Sequence, residues 1–183
     1  MSIKAIRSWL LLGSLFAISS VISGRAQVSP PHVPDILKVP EGHTLILKAL
    51  GKGVQIYECK ATAADPGKFD WSFTAPEAEL TNEKEEKIGK HYAGPTWEAN
   101  DGSKVVGELP PKKADALRPN AVPWLLLKAK TNEGTGKFAS VTYVQRVDTD
   151  GGLAPGCGCD QAHVKTELRV PYTANYYFYA AQR

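Results

Sequence analysis

Residues 91–107, HYAGPTWEANDGSKVVG, place a histidine, a tryptophan, a glutamate and an aspartate in one short, turn-rich stretch. Glu98 and Asp101 are the residue types of a general acid/base pair, with His91 close enough in sequence to shuttle a proton. Read that way, the chain is a small hydrolase or lyase. The same residues also make an ordinary hairpin. Trp97-Glu98-Ala99 and Lys104-Val105-Val106 would be its arms, and Asn100-Asp101-Gly102-Ser103 its turn. Glu98 would then face Lys104 as a cross-strand charge pair. Asp-Gly between strand-like arms favours the turn for Asp101. His91, beside Tyr92 and ahead of Gly94-Pro95, stays open as a functional or a hydrogen-bonded structural residue.

Three further sets carry chemistry. Cys157, Cys159 and His163 are soft-metal ligand types close in sequence and would suit copper or zinc. Cys-x-Cys with one histidine is a sparse ligand pattern, however, so the expected use is a disulfide from Cys59 to Cys157 or Cys159, with no resident cofactor. Such a bridge closes a loop of about 100 residues, worth roughly 4–5 kcal/mol by chain entropy. Trp97 and Trp124 are possible flat platforms for a sugar or another ligand, although tryptophans more often pack. Arg146 becomes an anion-binding anchor if its strand face lines a cavity; otherwise it pairs with Asp148 at the loop entry. Ser140 has no nucleophile elbow around it.

The elements that must position these residues are strands. Residues 1–26 come first and read as a signal peptide, with basic Lys4 and Arg7, an apolar Leu10–Ile22 run and a Gly24-Arg25-Ala26 boundary. A secreted or periplasmic protein follows, with no membrane span once that segment is removed. Its removal also takes away Lys4, Arg7 and Arg25, so 22 Lys and Arg fall to 19, against 19 Asp and Glu. A near-neutral chain without a basic stripe excludes a nucleic-acid partner.

Residues 27–43 hold Pro30, Pro31, Pro34 and Pro40 and predict an extended lead-in. Residues 44–183 predict a single β domain. Thr44–Ala49 and Val54–Cys59 read as a hairpin around Gly51–Gly53. Phe69, Trp71 and Phe73 alternate with polar residues and predict an inward aromatic face. Glu77–Lys87 is charged and predicts a turn or two of surface helix. Val122–Lys130, Phe138–Val147, Val164–Val170 and Thr173–Ala180 complete the strands, and Tyr172, Tyr176, Tyr177 and Tyr179 predict one aromatic face on the last. The fold class is all-β: an antiparallel sandwich or barrel of about eight or nine short strands with at most one short helix.

The motifs GVQIYEC (53–59), HYAGPTWEANDGSKVVG (91–107), VPWLLLKA (122–129), VTYVQRVDTDGGLAP (141–155) and VPYTANYYFY (170–179) lie in order through the chain. Together they resemble a family of small exported proteins of bacteria and fungi catalogued as a domain of unknown function. The resemblance implies one exported domain without an established activity. Some fungal members carry a malate dehydrogenase label, but this sequence lacks the Gly-rich dinucleotide fingerprint and βαβ pattern of such an enzyme. The expectation is an exported β-domain acting as a binding module for a small molecule, a glycan or a surface partner. The alternatives are a small hydrolase or lyase using His91 with Glu98 or Asp101, and copper or zinc binding through Cys157, Cys159 and His163.

Overall fold

Alternating side chains from His43 onward build nine strands in the computed structural model, which describes residues 29–109 and 111–182. They are β1 (His43–Ala61), β2 (Phe69–Thr81), β3 (Lys87–Tyr92), β4 (Thr96–Ala99), β5 (Lys104–Gly107), β6 (Lys112–Ala114), β7 (Trp124–Glu133), β8 (Val141–Gly151) and β9 (Glu167–Ala181). All pair antiparallel in one sheet of order β5-β4-β3-β2-β1-β9-β8-β7-β6. β5 also pairs with β7, from Lys104↔Glu133 to Gly107↔Ala129. Eight strands therefore close into an up-and-down barrel, and β6 lies alongside the start of β7. Among the described residues the only helical pieces are two 3-10 turns, Asp35–Leu37 and Gln161–His163. The expected signal peptide lies outside the described residues.

The strands are longer than expected where the chain coils around the barrel. β1 runs unbroken for 19 residues, so Gly51 and Gly53 do not form a hairpin turn. They are glycines because neighbours come too close for a side chain. A Cβ on Gly51 would lie 2.5 Å from the Tyr176 ring, and one on Gly53 would lie 2.0 Å from the Glu77 carbonyl oxygen. Glu77–Lys87 is likewise not helical. Glu77–Thr81 finishes β2, Asn82–Glu86 turns with the Asn82 side chain accepting from Lys84 N and Glu86 N, and β3 begins at Lys87. Charge suited that stretch to solvent, and a hairpin end meets the same demand as a surface helix.

β-Bulges decide which residues face inward. The register between β1 and β2 slips so that Tyr57 faces Phe73 while Ile56 faces Ala75, leaving Thr74 as the extra residue. Pro76, Ala78 and Leu80 are therefore buried inside, whereas Phe69 and Trp71 are only half-buried and Phe73 is exposed. The expected inward aromatic face thus belongs to the barrel mouth. Leu80, Val105, Phe138, Val141, Val144 and Phe178 fill the opposite end, with Trp97 packed between them and the mouth.

The outer face of β7, β8 and β9 is covered by the proline-rich lead-in. Val33 and Leu37 pack with Trp124, Leu126, Val147, Tyr177 and Tyr179. Gln145 Nε2 donates to the Leu37 carbonyl at 2.6 Å, and Tyr179 OH donates to Gln145 Oε1 at 2.7 Å. The β9 tyrosines consequently occupy both faces, Tyr172 and Tyr176 inside and Tyr177 and Tyr179 beneath the lead-in.

Leu37 is fully buried and Ile36 is 53 % exposed. In denaturant titrations Leu37→Ala should cost about 2–4 kcal/mol and Ile36→Ala less than about 0.5 kcal/mol. Cys59 is bridged to Cys159 across 100 residues, while Cys157 is free and exposed. Cys159→Ser should therefore cost up to about 4–5 kcal/mol in oxidised protein, Cys157→Ser close to nothing, and the difference should vanish under reducing conditions.

Candidate functional site

The end of the barrel away from Phe138 holds a cavity of about 480 Å³. Apolar walls come from Pro76, Pro95, Val122, Leu125 and Leu127, with Phe73, Leu109 and Leu153 exposed at its rim. Polar groups converge on it from separate strands: Gln55 and Tyr57 from β1, His91 from β3, Arg146 from β8 and Tyr176 from β9. The strand pleat explains their meeting, since each is an inward position of its own strand.

His91 is 2 % exposed and pairs with Trp97 across β3 and β4. Its ring stacks on that indole at a centroid distance of 4.4 Å. His91 Nδ1 lies 2.8 Å from the Thr96 carbonyl oxygen. A carbonyl only accepts, so the proton is on Nδ1, and Nε2 is left as an acceptor without a protein partner among the described residues. Burial pushes the imidazole down to about 3 despite the Thr96 hydrogen bond, and the nearby Arg146 charge pushes the same way. His91 is therefore neutral at physiological pH.

Glu98 and Asp101 do not join it. Glu98 pairs with Lys90 and Lys104 on the outer face of the sheet, opposite to His91. It accepts from Tyr92 OH at 2.7 Å and lies 3.4 Å from Lys90 Nζ and 3.9 Å from Lys104 Nζ. The Tyr92 hydroxyl, with the two lysines, holds its carboxyl below the usual range. Asp101 sits in the β4–β5 turn beside Gly102, whose φ is +83°. It accepts from Ser103 N, Ser103 Oγ and Lys137 N, which hold its pKa near 2. Ser103 Oγ in turn accepts from Phe138 N at 3.0 Å. This chain fastens the turn to the loop that carries the barrel's Phe138 plug.

The other named residues separate as well. Trp97 lies inside against the cavity, whereas Trp124 is outside beneath the lead-in. Arg146 points inward, but Asp148 has φ +50°, faces solvent and accepts from Asn175, so the two do not pair. The register slip between Val147 and Asp150 breaks the alternation that would have put them on one face. Cys159 is consumed by its bridge to Cys59, which removes one ligand from the Cys157, Cys159, His163 set. His163 instead bonds Asp160 at 2.8 Å. Among the described residues no group of three metal-ligating side chains converges, and no helix is long and apolar enough to cross a membrane.

Arg146 has no carboxylate partner among the described residues although it is only 9 % exposed. Its Nε and Nη2 both donate to the Pro123 carbonyl, at 3.2 and 2.9 Å. Tyr172 and Tyr176 share a hydrogen bond at 3.1 Å, and burial raises both phenols. Tyr57 OH donates to the Gly152 carbonyl at 2.6 Å. Gln55 is 1 % exposed, and its Nε2 has no partner. Sequence reasoning passed over Gln55, Tyr57 and Leu125. A glutamine interrupting the inward row of a strand was the available signal, and it became legible only once the inward row was known.

These features define a closed antiparallel barrel with a cavity at one end and a polar, cationic wall within it. The chain belongs to the family described as "Protein of unknown function (DUF3455)", which matches residues 40–180. No curated protein matches it, and no solved structure does.

A neutral buried histidine has a testable pH consequence. Its folded pKa lies below the value of about 6.5 expected when unfolded, so acidification protonates the unfolded chain first. This contribution is fully present above about pH 6.5 and is lost as pH falls toward 3. Urea titrations should show stability falling by up to about 1.4 kcal/mol more per pH unit between pH 6 and 4 than in His91→Gln. Parallel slopes in the two proteins would contradict the neutral, buried assignment.

Proposed function

We propose that the protein is a binding module that takes a small, largely apolar molecule into one end of its barrel. The cavity of about 480 Å³ carries this reading. Eight-stranded barrels either fill their interior with side chains or hold one small ligand. Here one end is filled, and apolar walls with a few polar groups line the other, the usual make-up of a ligand pocket. Predominantly apolar walls favour a small molecule over a glycan, which needs many polar partners. Glu98 on the opposite face of the sheet from His91, and Asp101 engaged in the β4–β5 turn, support binding rather than hydrolysis. An exported location belongs to the same reading, supported by the signal-like residues 1–26 and by a disulfide suited to oxidising surroundings.

Leu125 lines the cavity and is not fully buried, so a larger side chain there has room to enter it. Titration with the neutral apolar fluorophore N-phenyl-1-naphthylamine should show saturable binding in the wild type. Leu125→Trp should weaken that binding by about tenfold or more, equivalent to about 1.4 kcal/mol, in protein that still melts cooperatively. Absence of saturable binding, or equal binding by the variant, would count against the reading.

A further inference from the structure

The cavity's charge is one-sided. Among the described residues that line it there is no aspartate or glutamate, but there are two cations, Arg146 inside and Lys113 on exposed β6. A buried guanidinium without a counter-charge is costly, and its charge cannot be relieved by deprotonation. The Pro123 carbonyl satisfies one edge of the Arg146 fork, formed by Nε and Nη2. The Tyr176 hydroxyl lies beside the guanidinium, but the only close hydrogen bonds Arg146 makes among the described residues are those to Pro123, so a bidentate partner can still approach its Nη1 side.

Other donors lie close by. Gln55 Nε2 is buried and unpaired. It sits beside the segment that tethers Arg146, because Gln55 Cγ and Val122 Cγ1 both crowd Gly152, at 3.1 and 3.0 Å from where a Cβ would stand. The Tyr172–Tyr176 hydroxyl pair uses one of its two protons internally and leaves the other to donate. The interior thus offers several donors and a fixed positive charge, and lacks an anion.

We propose that the occupant is an organic monocarboxylate with an apolar body. Its carboxylate sits on Arg146 and Gln55 Nε2, and its body lies against Phe73, Pro76, Leu125 and Leu127. This rests on the reading of the barrel as a ligand container and adds the chemical class of what it holds. Lys113 at the rim contributes long-range attraction for an anion. The mostly apolar wall excludes a multiply charged ligand, which would need more cations than the two present.

Titration calorimetry at pH 7.5, where the acids are ionised, tests this on the purified protein with four probes. Decanoate is compared with decan-1-ol, and 3-phenylpropanoate with 3-phenylpropan-1-ol. Each acid should bind at least about tenfold more tightly than its alcohol, and the better acid identifies an aliphatic or an aromatic body. Arg146→Gln should abolish the preference, bringing the acid-to-alcohol affinity ratio close to one, and Gln55→Leu should weaken the acids severalfold. Equal binding of acids and alcohols by the wild type overturns the carboxylate assignment and leaves the container reading standing. A preference that survives in folded Arg146→Gln overturns the role of Arg146. Failure of all four probes to bind removes the container reading and this inference together. Should Arg146→Gln fail to fold, the wild-type acid-to-alcohol ratio and Gln55→Leu decide.

Discussion

Closure of the sheet through the β5–β7 ladder is the constraint on which the rest of the structure depends. Without those pairs, β5 and β6 would be the two free edges of an open nine-stranded sheet, exposing unpaired backbone groups. With them, eight strands enclose an interior whose size is set by strand number and stagger rather than by the side chains inside. Gly107 ends the ladder on β5, where a Cβ would lie 2.7 Å from Leu127 Cδ2, and Glu108 N continues the junction by donating to the Lys128 carbonyl at 2.7 Å. The ring must then be filled, and the chain fills only one end. Phe138 stacks near Phe178 at 4.6 Å in that end, held by the hydrogen bonds that run from Asp101 through Ser103. At the other end the interior stays open.

The same closure explains the chemistry of the cavity wall. Inward positions of a barrel strand have nowhere else to go, so Gln55, His91 and Arg146 are buried by the backbone's path and not by their own preference. Each responds in the way its chemistry allows. His91 sheds its charge and donates Nδ1–H to Thr96, with its ring against Trp97. Arg146 keeps its charge and recruits a backbone carbonyl. Gln55 leaves its amide nitrogen unpaired. Buried polar groups are normally satisfied, and unsatisfied ones call for a role. The outer face follows the opposite logic: Glu98, Lys90 and Lys104 remain partly or largely in water, where their pairing contributes little to stability.

Much of the fold was legible because period-2 alternation is a local property of the chain. It located most strands, and the Asn100–Ser103 turn together with the Glu98↔Lys104 pairing followed from Asp101-Gly102 between strand-like arms. Features that depend on contacts distant in sequence were not legible. Gly51 and Gly53 look like turn residues until Tyr176 and Glu77 are seen pressing on them. The bulges at Thr74 and after Val147 invert the parity that alternation assumes, which turns Pro76, Ala78 and Leu80 inward after Phe73 and Asp148 away from Arg146. Trp97 and Trp124 are equivalent in sequence terms, yet closure and the lead-in put one inside the barrel and the other outside. Proximity in sequence suggested His91 with Glu98. The pleat sends them to opposite sides of one sheet, where His91 stacks on Trp97 of β4 and shares the cavity wall with groups from β1, β8 and β9.

Native-state hydrogen exchange at the β5–β7 junction tests the closed barrel most directly. The Glu108 amide and the β5 and β7 amides that bond across this ladder should exchange far more slowly than those of loop residues 134–136, with protection extending along the ladder as is expected between β1 and β9. Exchange at the rate of exposed loop amides would mean an open sheet with two free edges, without an enclosed cavity for a ligand to enter.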